Sequence, residues 1–314
     1  MILTLQQLDG VGNKTIFKIA DQASTPITTM ESLCKFWKSL KGKKLQSITA
    51  DDLEDAHRVA LRIISKSKSE NVGIMSFYES IFPEVLKSCV NEEGKLDPPI
   101  LLYYRGNLDV LKKPGIAVIG TREPTRNGIL AGKHFSGEFA KRGYNIVSGL
   151  AIGCDTTGHQ GALAVGGATT AFLANGLDWD SIYPKENLDL AKEIVVKEGL
   201  LLSEYPVGQS CGRYGLVARD RLQAGLSYAT VIVQTGVKGG TMHAVNATIQ
   251  SKKPLFAVEY KTDEDTSNEK VQGNIKLVKE QKAYALRSTG IDDACSIIEK
   301  AHKIINTVQQ QSLF

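Results

Sequence analysis

Several features that mark special classes of protein are missing from this sequence. It contains no uninterrupted apolar run of about 18 residues, so we expect no membrane-spanning helix. Its first segment, MILTLQQLDG, has no basic leader followed by an apolar stretch, so we expect no export signal and a cytoplasmic location. The five cysteines are scattered and form no CxxC pair, which indicates neither a disulfide framework nor a metal site.

Two common nucleotide motifs are also missing. Neither the GxxxxGK[ST] loop of P-loop NTPases nor the GxGxxG fingerprint of dinucleotide-binding proteins occurs, so we expect no bound cofactor. The net charge of +4 is too small to indicate a polyanion-binding protein by itself. Residues 101–150, however, hold eight Lys and Arg against three acidic residues, so positive charge is concentrated in that part of the chain.

The pattern from Ile116 onward predicts an α/β fold. Apolar runs bounded by glycine alternate with helical segments, as in an extended Rossmann-like, doubly wound parallel sheet that is buried on both faces. Helices are predicted to begin near Asn127, Thr156, Asn187, Val217 and Thr241. The predicted strands are IAVIG, YNIVSG, TTAFLAN, LLLSEY, TVIVQT and PLFAVEY, with a possible last strand at AYAL.

Three regions are predicted along the chain. Residues 1–72 have helical periodicity and form a small domain, in which Gly10 and Gly12 make a turn like that of a helix-hairpin-helix. Such a turn can present backbone N–H groups to a DNA phosphate or can simply join two helices, and both interpretations stay open. Residues 73–290 form the Rossmann-like domain, with TDEDTSNEK as a surface loop, and residues 291–314 form a C-terminal helix.

Candidate binding residues follow the predicted strands. In an open parallel sheet, ligands lie beyond the carboxyl ends of the strands, where helix N-termini attract anions. The first such turn carries Gly120, Thr121 and Arg122, whose forked cation suits phosphate oxygens. Another turn opens a helix directly after a strand, with a lysine beside two glycines and a threonine: Lys238, Gly239, Gly240 and Thr241.

Further candidates lie at two other strand ends. Ser148 and Gly149 end one strand, and Asn175 ends another. Asp155 and His159 are one helical turn apart, so they either pair as a base or ligand, or Asp155 caps the helix while His159 makes an orienting hydrogen bond. Arg219 and Arg221 lie near a predicted helix start, where the dipole disfavours cations, which suggests that they neutralise a phosphate or an acidic partner.

Several long segments resemble the DNA-processing protein A (DprA/Smf) family in order and spacing. They are SGLAIGCDTTGHQGAL, GLDWDSIYP, LLSEYPVG and RDRLQAGLS, within a similarity covering about residues 73–260. The resemblance implies an extended Rossmann fold, a homodimer, no catalysis, and sequence-independent binding of single-stranded DNA that is passed to a RecA-type recombinase. It assigns DNA contacts to Gly120, Thr121, Arg122, Ser148, Gly149, Arg219, Arg221, Gly239, Gly240 and Thr241.

The chain departs from the family pattern at three places. The usual RNR triplet reads Arg219, Asp220, Arg221, so an acid replaces an amide near the expected phosphate site. The usual SGS-like turn reads Gly239, Gly240, Thr241, which removes one hydroxyl. We also expect no C-terminal winged-helix domain after Phe314.

Two alternative functions remain open from the sequence. A nucleotide sensor or enzyme is one, because KGGTMHA resembles the PGGxGT turn of the related cytokinin-activating phosphoribohydrolases. The segment AVNAT lacks the glutamate that those enzymes need, which leaves Glu204 as the strand-end carboxylate nearby. The other alternative is a DNA-binding component of a phage-defence or toxin-regulating pair, which would share the fold and the ligand.

Overall fold

The protein is built around one mostly parallel sheet. The computed structural model describes residues 1–25, 27–212 and 215–311, excluding the side chains of residues 43, 44 and 304–311. Nine strands of these residues form the sheet, in the order β1-β2-β6-β5-β4-β3-β7-β8-β9. Their bounds are β1 Gly73–Ser76, β2 Leu101–Gly106, β3 Gly115–Ile119, β4 Asn145–Ser148, β5 Thr169–Leu173, β6 Leu200–Ser203, β7 Ser227–Ile232, β8 Leu255–Val258 and β9 Tyr284–Leu286.

Helices connect and cover the strands. The α-helices are α1 Ile2–Gln6, α2 Asn13–Ala20, α3 Met30–Ser39, α4 Lys43–Gln46, α5 Ala50–Ser69, α6 Glu84–Lys87, α7 Arg126–Lys141, α8 Cys154–Ala164, α9 Leu188–Val196, α10 Gly215–Leu226, α11 Thr241–Gln250, α12 Asp263–Ser267, α13 Gln272–Lys279 and α14 Ile291–Gln311. Short 3-10 turns lie at Leu108–Lys112, Lys185–Asn187, Glu269–Val271 and Ser288–Gly290. Among the helices of the described ranges, none is both long and apolar enough to cross a membrane.

Strand β3 shows how the core is organised. Its side chains alternate between the two faces of the sheet, as those of any strand must. Ile116 and Val118 pack in a cluster with α7, α8 and α14, whereas Ala117 and Ile119 pack in another cluster with α11 and α13. All of β3 is buried. The sheet is therefore covered by helices on both faces, which confirms the predicted doubly wound α/β fold.

The order of the strands places a crevice next to β3. From β3 the chain winds outward through β4, β5 and β6, and then returns to β7 on the other side of β3. The connections that leave β3 and β7 therefore run in opposite directions. In open α/β sheets, such a switch in direction opens a crevice at the carboxyl ends of the two strands.

Two parts of the sequence-based prediction were incomplete or wrong. Strands β1 and β2 were not predicted, and they add an antiparallel edge to the sheet, because β1 pairs with β2 and β2 with β6 in antiparallel register. The polar segment 262–270 was predicted as a loop but forms α12 and a 3-10 turn. The hydroxyl of Thr262 accepts the N–H of Asp265 and so caps this short helix.

Helices α1 to α5 precede the sheet and share one apolar cluster. Thr49 and Asp52 form a reciprocal capping box at the start of α5. The cluster also contains Ile100 and Leu101 from the start of β2, so the helices pack directly on the antiparallel edge of the sheet. The predicted division at residue 72 falls between α5 and β1. That a domain boundary lies there stays a prediction.

Candidate functional site

A cleft of about 450 Å³ lies at the carboxyl ends of β3 and β7. It occupies the crevice that the strand order opens between them. The turn after β3 lines one side of the cleft, and the turn after β7 lines another. Nine of the predicted site residues line it together: Gly120, Thr121, Arg122, Asp155, Arg219, Lys238, Gly239, Gly240 and Thr241.

The turn before α11 provides an open backbone surface. Gly239 has a φ of 139°, a conformation that residues with a side chain rarely adopt. A Cβ added at Gly239 or Gly240 would meet nothing within 4 Å, so packing does not explain the two glycines. No side chain caps the N-terminus of α11. The turn therefore leaves the positive end of this helix accessible to an anion.

The turn after β3 is held rigidly by β7. A Cβ on Gly120 would lie 2.6 Å from the sulfur of Cys154 and 2.7 Å from the carbonyl oxygen of Gln234, so this glycine is needed for close packing. The N–H of Thr121 donates to the same carbonyl at 2.8 Å. Arg122 follows with an exposed side chain, and no ion pair holds its guanidinium among the described residues. It is free to meet a ligand in the cleft.

Arg219 forms the floor of the cleft. Its side chain is about 6% exposed, and its Nη1 atom donates to the carbonyl oxygen of Phe172 at 2.9 Å. The same nitrogen lies 4.0 Å from Oδ2 of Asp155, which accepts the N–H of Ala151. A Cβ on Gly149 would lie 1.6 Å from Nη1 of Arg219, so this glycine makes room for the guanidinium.

One buried and one partly buried carboxyl group accompany this arginine. The Nε atom of Arg219 lies 3.3 Å from Oδ1 of Asp220, which also accepts a hydrogen bond from Gln223 at 3.0 Å. Burial raises the pKa of Asp155, and the charge of Arg219 acts in the opposite direction. Burial raises the pKa of Asp220 to about 6, again against the effect of Arg219. The cleft therefore contains acidic groups as well as cations.

Arg221 does not line the cleft, so its predicted contact with DNA gains no support from its position. Residues two apart on a helix point about 200° away from each other, so Arg219 and Arg221 cannot face the same cleft. Two nitrogens of Arg221 donate to the carboxylate oxygens of Glu204, each at 2.9 Å, and its Nε lies 2.7 Å from Oδ2 of Asp97. Both arginines lie beyond the first turn of α10, because its described part begins at Gly215.

Two other predicted residues lie behind the cleft. The hydroxyl of Ser148 is buried and donates to the carbonyl of Val118 at 2.6 Å. Asn175 is 1% exposed and donates to the carbonyl of Gly176 at 2.8 Å. Their side chains are therefore not placed to contact a ligand directly.

His159 is also a structural residue. Its Nε2–H donates to the carbonyl of Gly149 at 2.6 Å, and its Nδ1 lies 2.7 Å from the hydroxyl of Thr169. Burial lowers the pKa of this imidazole to about 4, so the ring is neutral at physiological pH. Of the two interpretations offered by the sequence, the structure supports the orienting hydrogen bond rather than a pair with Asp155.

Ile152 and Leu216, which belong to the apolar wall of the site, were not predicted from the sequence. Ile152, Tyr183 and Leu216 line a second cavity of about 150 Å³, which also includes Arg122 and Arg219. Ile152 and Tyr183 are 41% and 46% exposed, so this wall presents apolar surface to the solvent. The sequence offered no periodic signal for them, because they lie in connections rather than in strands or helices. Among the described side chains, no cluster of three or more His, Cys, Asp or Glu is placed to hold a metal ion.

The fold and the cleft define a doubly wound α/β protein whose topological switch point carries a cleft lined by basic side chains and by an uncapped helix N-terminus. The profile of the DNA recombination-mediator protein A family matches residues 73–299, which is most of the chain. The chain therefore belongs to this family. The match extends over the cleft and over all strands of the sheet, in agreement with the resemblance seen in the sequence motifs.

Individual relatives agree with this assignment. The chain is 30% identical to the DNA processing protein DprA of Bacillus subtilis over 241 residues, covering 72% of this chain and 78% of the relative. It is 39% identical to Protein Smf of Synechocystis over 170 residues, covering 53% of this chain and only 42% of that relative. The matched part thus spans less than half of the Synechocystis protein.

Solved structures show the same architecture. DNA processing protein A from Streptococcus pneumoniae has a TM-score of 0.71 with 25% identity, covering 93% of this chain and 96% of that one. DNA processing protein A from Helicobacter pylori, described for its single-stranded DNA binding mode, has a TM-score of 0.59 with 28% identity, covering 72% and 96%.

Proposed function

We propose that this protein binds single-stranded DNA, with the sugar-phosphate chain lying in the cleft between β3 and β7. The observation that carries this proposal is the joint presence of the open glycine turn before α11 and the exposed Arg122 around one cleft. Backbone amides at a helix start and a guanidinium both bind phosphate oxygens without reading bases. The H. pylori relative, described as binding single-stranded DNA, supports the choice of ligand.

The surroundings of the cleft fit a single strand better than a free phosphate ion. Ile152 and Tyr183 expose apolar surface directly beside Arg122. Unpaired bases stack on or pack against such side chains, whereas the bases of a duplex stay inside the helix. We therefore expect phosphates in the cleft and bases along its apolar wall, with little dependence on sequence.

The enzyme alternative is less well supported. The carboxylate that the sequence offered for it, Glu204, accepts two hydrogen bonds from Arg221 and is 19% exposed. Arg221 lies outside the residues that line the cleft. Incubation with nucleoside monophosphates should therefore release no free base, and robust release would favour the enzyme.

The test of the proposal is a salt titration of oligo-dT binding by fluorescence anisotropy. Each phosphate contact contributes about 0.7 to the slope of log affinity against log salt for a single strand. The double variant Arg122→Ala/Lys238→Ala should therefore bind more weakly and lower the slope by about 1.4. A gel shift with duplex DNA should show weaker binding than with oligo-dT.

A matched control uses basic residues at the other end of the sheet. Lys141 and Arg142 lie at the C-terminal end of α7, next to the start of β4 and away from the cleft. The double variant Lys141→Ala/Arg142→Ala removes the same charge and should leave the slope within error of the unmodified protein. Equal losses of affinity and of salt slope in both double variants would show that binding follows net charge, and would contradict binding in the cleft.

We further propose that the protein acts in the cytoplasm as a homodimer and hands DNA to a RecA-type recombinase. These steps rest on the family resemblance. Analytical ultracentrifugation tests the dimer. Assembly of the recombinase on oligo-dT that this protein has first coated tests the transfer, and a failure to speed assembly over uncoated DNA would refute it.

A further inference from the structure

Two acidic groups, Asp155 and Asp220, line the proposed phosphate cleft. Asp220 lines this cleft, with its side chain 16% exposed. Its neighbour Arg219 lies between two carboxyl groups, at 3.3 Å from Oδ1 of Asp220 and 4.0 Å from Oδ2 of Asp155. One guanidinium cannot neutralise both, so the floor of the cleft carries an excess negative charge when both acids are ionised.

Charged groups on several neighbouring elements act on Asp220. Arg122 comes from the turn after β3, Asp155 from α8 and His243 from α11, and all three act on it electrostatically. His243 is in turn held by Glu92, whose Oε2 lies 2.7 Å from its Nδ1. Lys238 lines the same cleft from the turn before α11.

A phosphate in this cleft would be close to the Asp220 carboxylate. Two like charges at such a distance in a partly buried site repel each other, and a proton on the carboxyl removes the repulsion. Burial already raises the pKa of Asp220 to about 6 in the free protein, although Arg219 opposes this. A bound polyanion can only raise this pKa further, because it favours the neutral acid.

We propose that Asp220 sets the affinity of the cleft for DNA by taking up a proton when the phosphate chain binds. The proposal rests on the proposed function, since it concerns the same cleft and ligand. It makes Asp220 a residue that tunes affinity rather than one that contacts DNA. DNA binding is then tighter as the pH falls through the pKa of Asp220, and constant below it.

The size of the change in affinity follows from the fraction of the protein in which Asp220 is protonated. With a pKa of about 6, about 3% of Asp220 is protonated at pH 7.5. If the DNA-bound form requires the neutral acid, the apparent affinity at pH 7.5 is lower by up to about 30-fold than at a pH well below 6. The variant Asp220→Asn, which is permanently neutral, should recover this factor at pH 7.5.

The experiment measures oligo-dT affinity between pH 5 and pH 8 at constant ionic strength. It compares the unmodified protein with Asp220→Asn and with His243→Gln, because His243 on α11 also acts electrostatically on Asp220. We expect Asp220→Asn to bind more tightly at pH 7.5 and to lose most of its pH dependence. We expect His243→Gln to keep most of it.

A second measurement needs no variant. Calorimetric titration at pH 7.5 in two buffers of different ionisation enthalpy should show uptake of about one proton when oligo-dT binds. No proton uptake, or the same pH profile in Asp220→Asn as in the unmodified protein, would overturn the proposal while leaving DNA binding intact. Absence of oligo-dT binding by both proteins at every pH would instead refute the proposed function.

Discussion

Replacing Arg221 tests whether Arg219 and Arg221, which are close in sequence, have different roles. Arg219 lies on the floor of the cleft, whereas Arg221 is held by Glu204 and Asp97 on another side of α10. Replacing Arg221 by methionine keeps much of the side-chain volume but leaves Glu204, which is 19% exposed, without its cation. The expected consequence is a less stable protein with an unchanged DNA-binding cleft.

The size of the loss can be bounded from the burial of the ion pairs. Removing one partner of a buried ion pair costs about 3–5 kcal/mol of unfolding free energy. Asp97 is 40% exposed and regains water, so we expect a value near the lower end, about 3 kcal/mol. Replacing both partners by apolar residues is often nearly neutral. The double variant Arg221→Met/Glu204→Leu should therefore recover much of the loss.

Urea unfolding of the single and double variants measures these values, and oligo-dT anisotropy under native conditions measures binding. We expect Arg221→Met to bind oligo-dT as the unmodified protein does. The reasoning is refuted if Arg221→Met unfolds normally but loses as much affinity as Arg122→Ala. That result would return Arg221 to the DNA-binding residues that the sequence suggested.

Two further predictions concern the buried support of the cleft. The pKa of His159 is about 4 in the folded protein, below its ordinary value of 6.5. Acid therefore favours the unfolded state, and the free energy of unfolding decreases by up to about 3 kcal/mol as the pH falls from 6.5 to 4. His159→Gln should remove this part of the pH dependence in urea unfolding series. Gly149→Ala places a Cβ 1.6 Å from Nη1 of Arg219, so it should weaken oligo-dT binding and lower the unfolding temperature. Gly290→Ala, whose Cβ would meet nothing within 4 Å, is its control, and similar effects of both would contradict the packing argument.

The parallel part of the fold could be predicted from the sequence because its strands are buried on both faces. Such strands appear as short apolar runs: β4, β5, β6 and β8 lie within the predicted runs, and β3 and β7 overlap theirs but begin earlier. Strand β2 was not predicted because its run, LLYYRG, includes the cation Arg105 and follows two prolines rather than a helix. Antiparallel edge strands have no crossover helix to mark them.

Only part of the candidate site could be predicted from the sequence. The turns that hold Arg122 and Gly239 follow strands that are adjacent in the sheet, so the strand-end rule brought them to one cleft. The rule says nothing about where a helical side chain points, so it did not separate Arg219, which lines the cleft, from Arg221, which does not. The apolar wall formed by Ile152 and Leu216 also had no pattern in the sequence, because these residues come together only in the folded protein.

The most direct test of this account is an experimentally determined structure of the protein with bound oligo-dT. We expect phosphate oxygens within hydrogen-bonding distance of the backbone amides at Gly240 and Thr241 and of the guanidinium of Arg122, with Arg221 still bound to Glu204. A strand that lies elsewhere on the protein, with the cleft between β3 and β7 empty of phosphate, would contradict it.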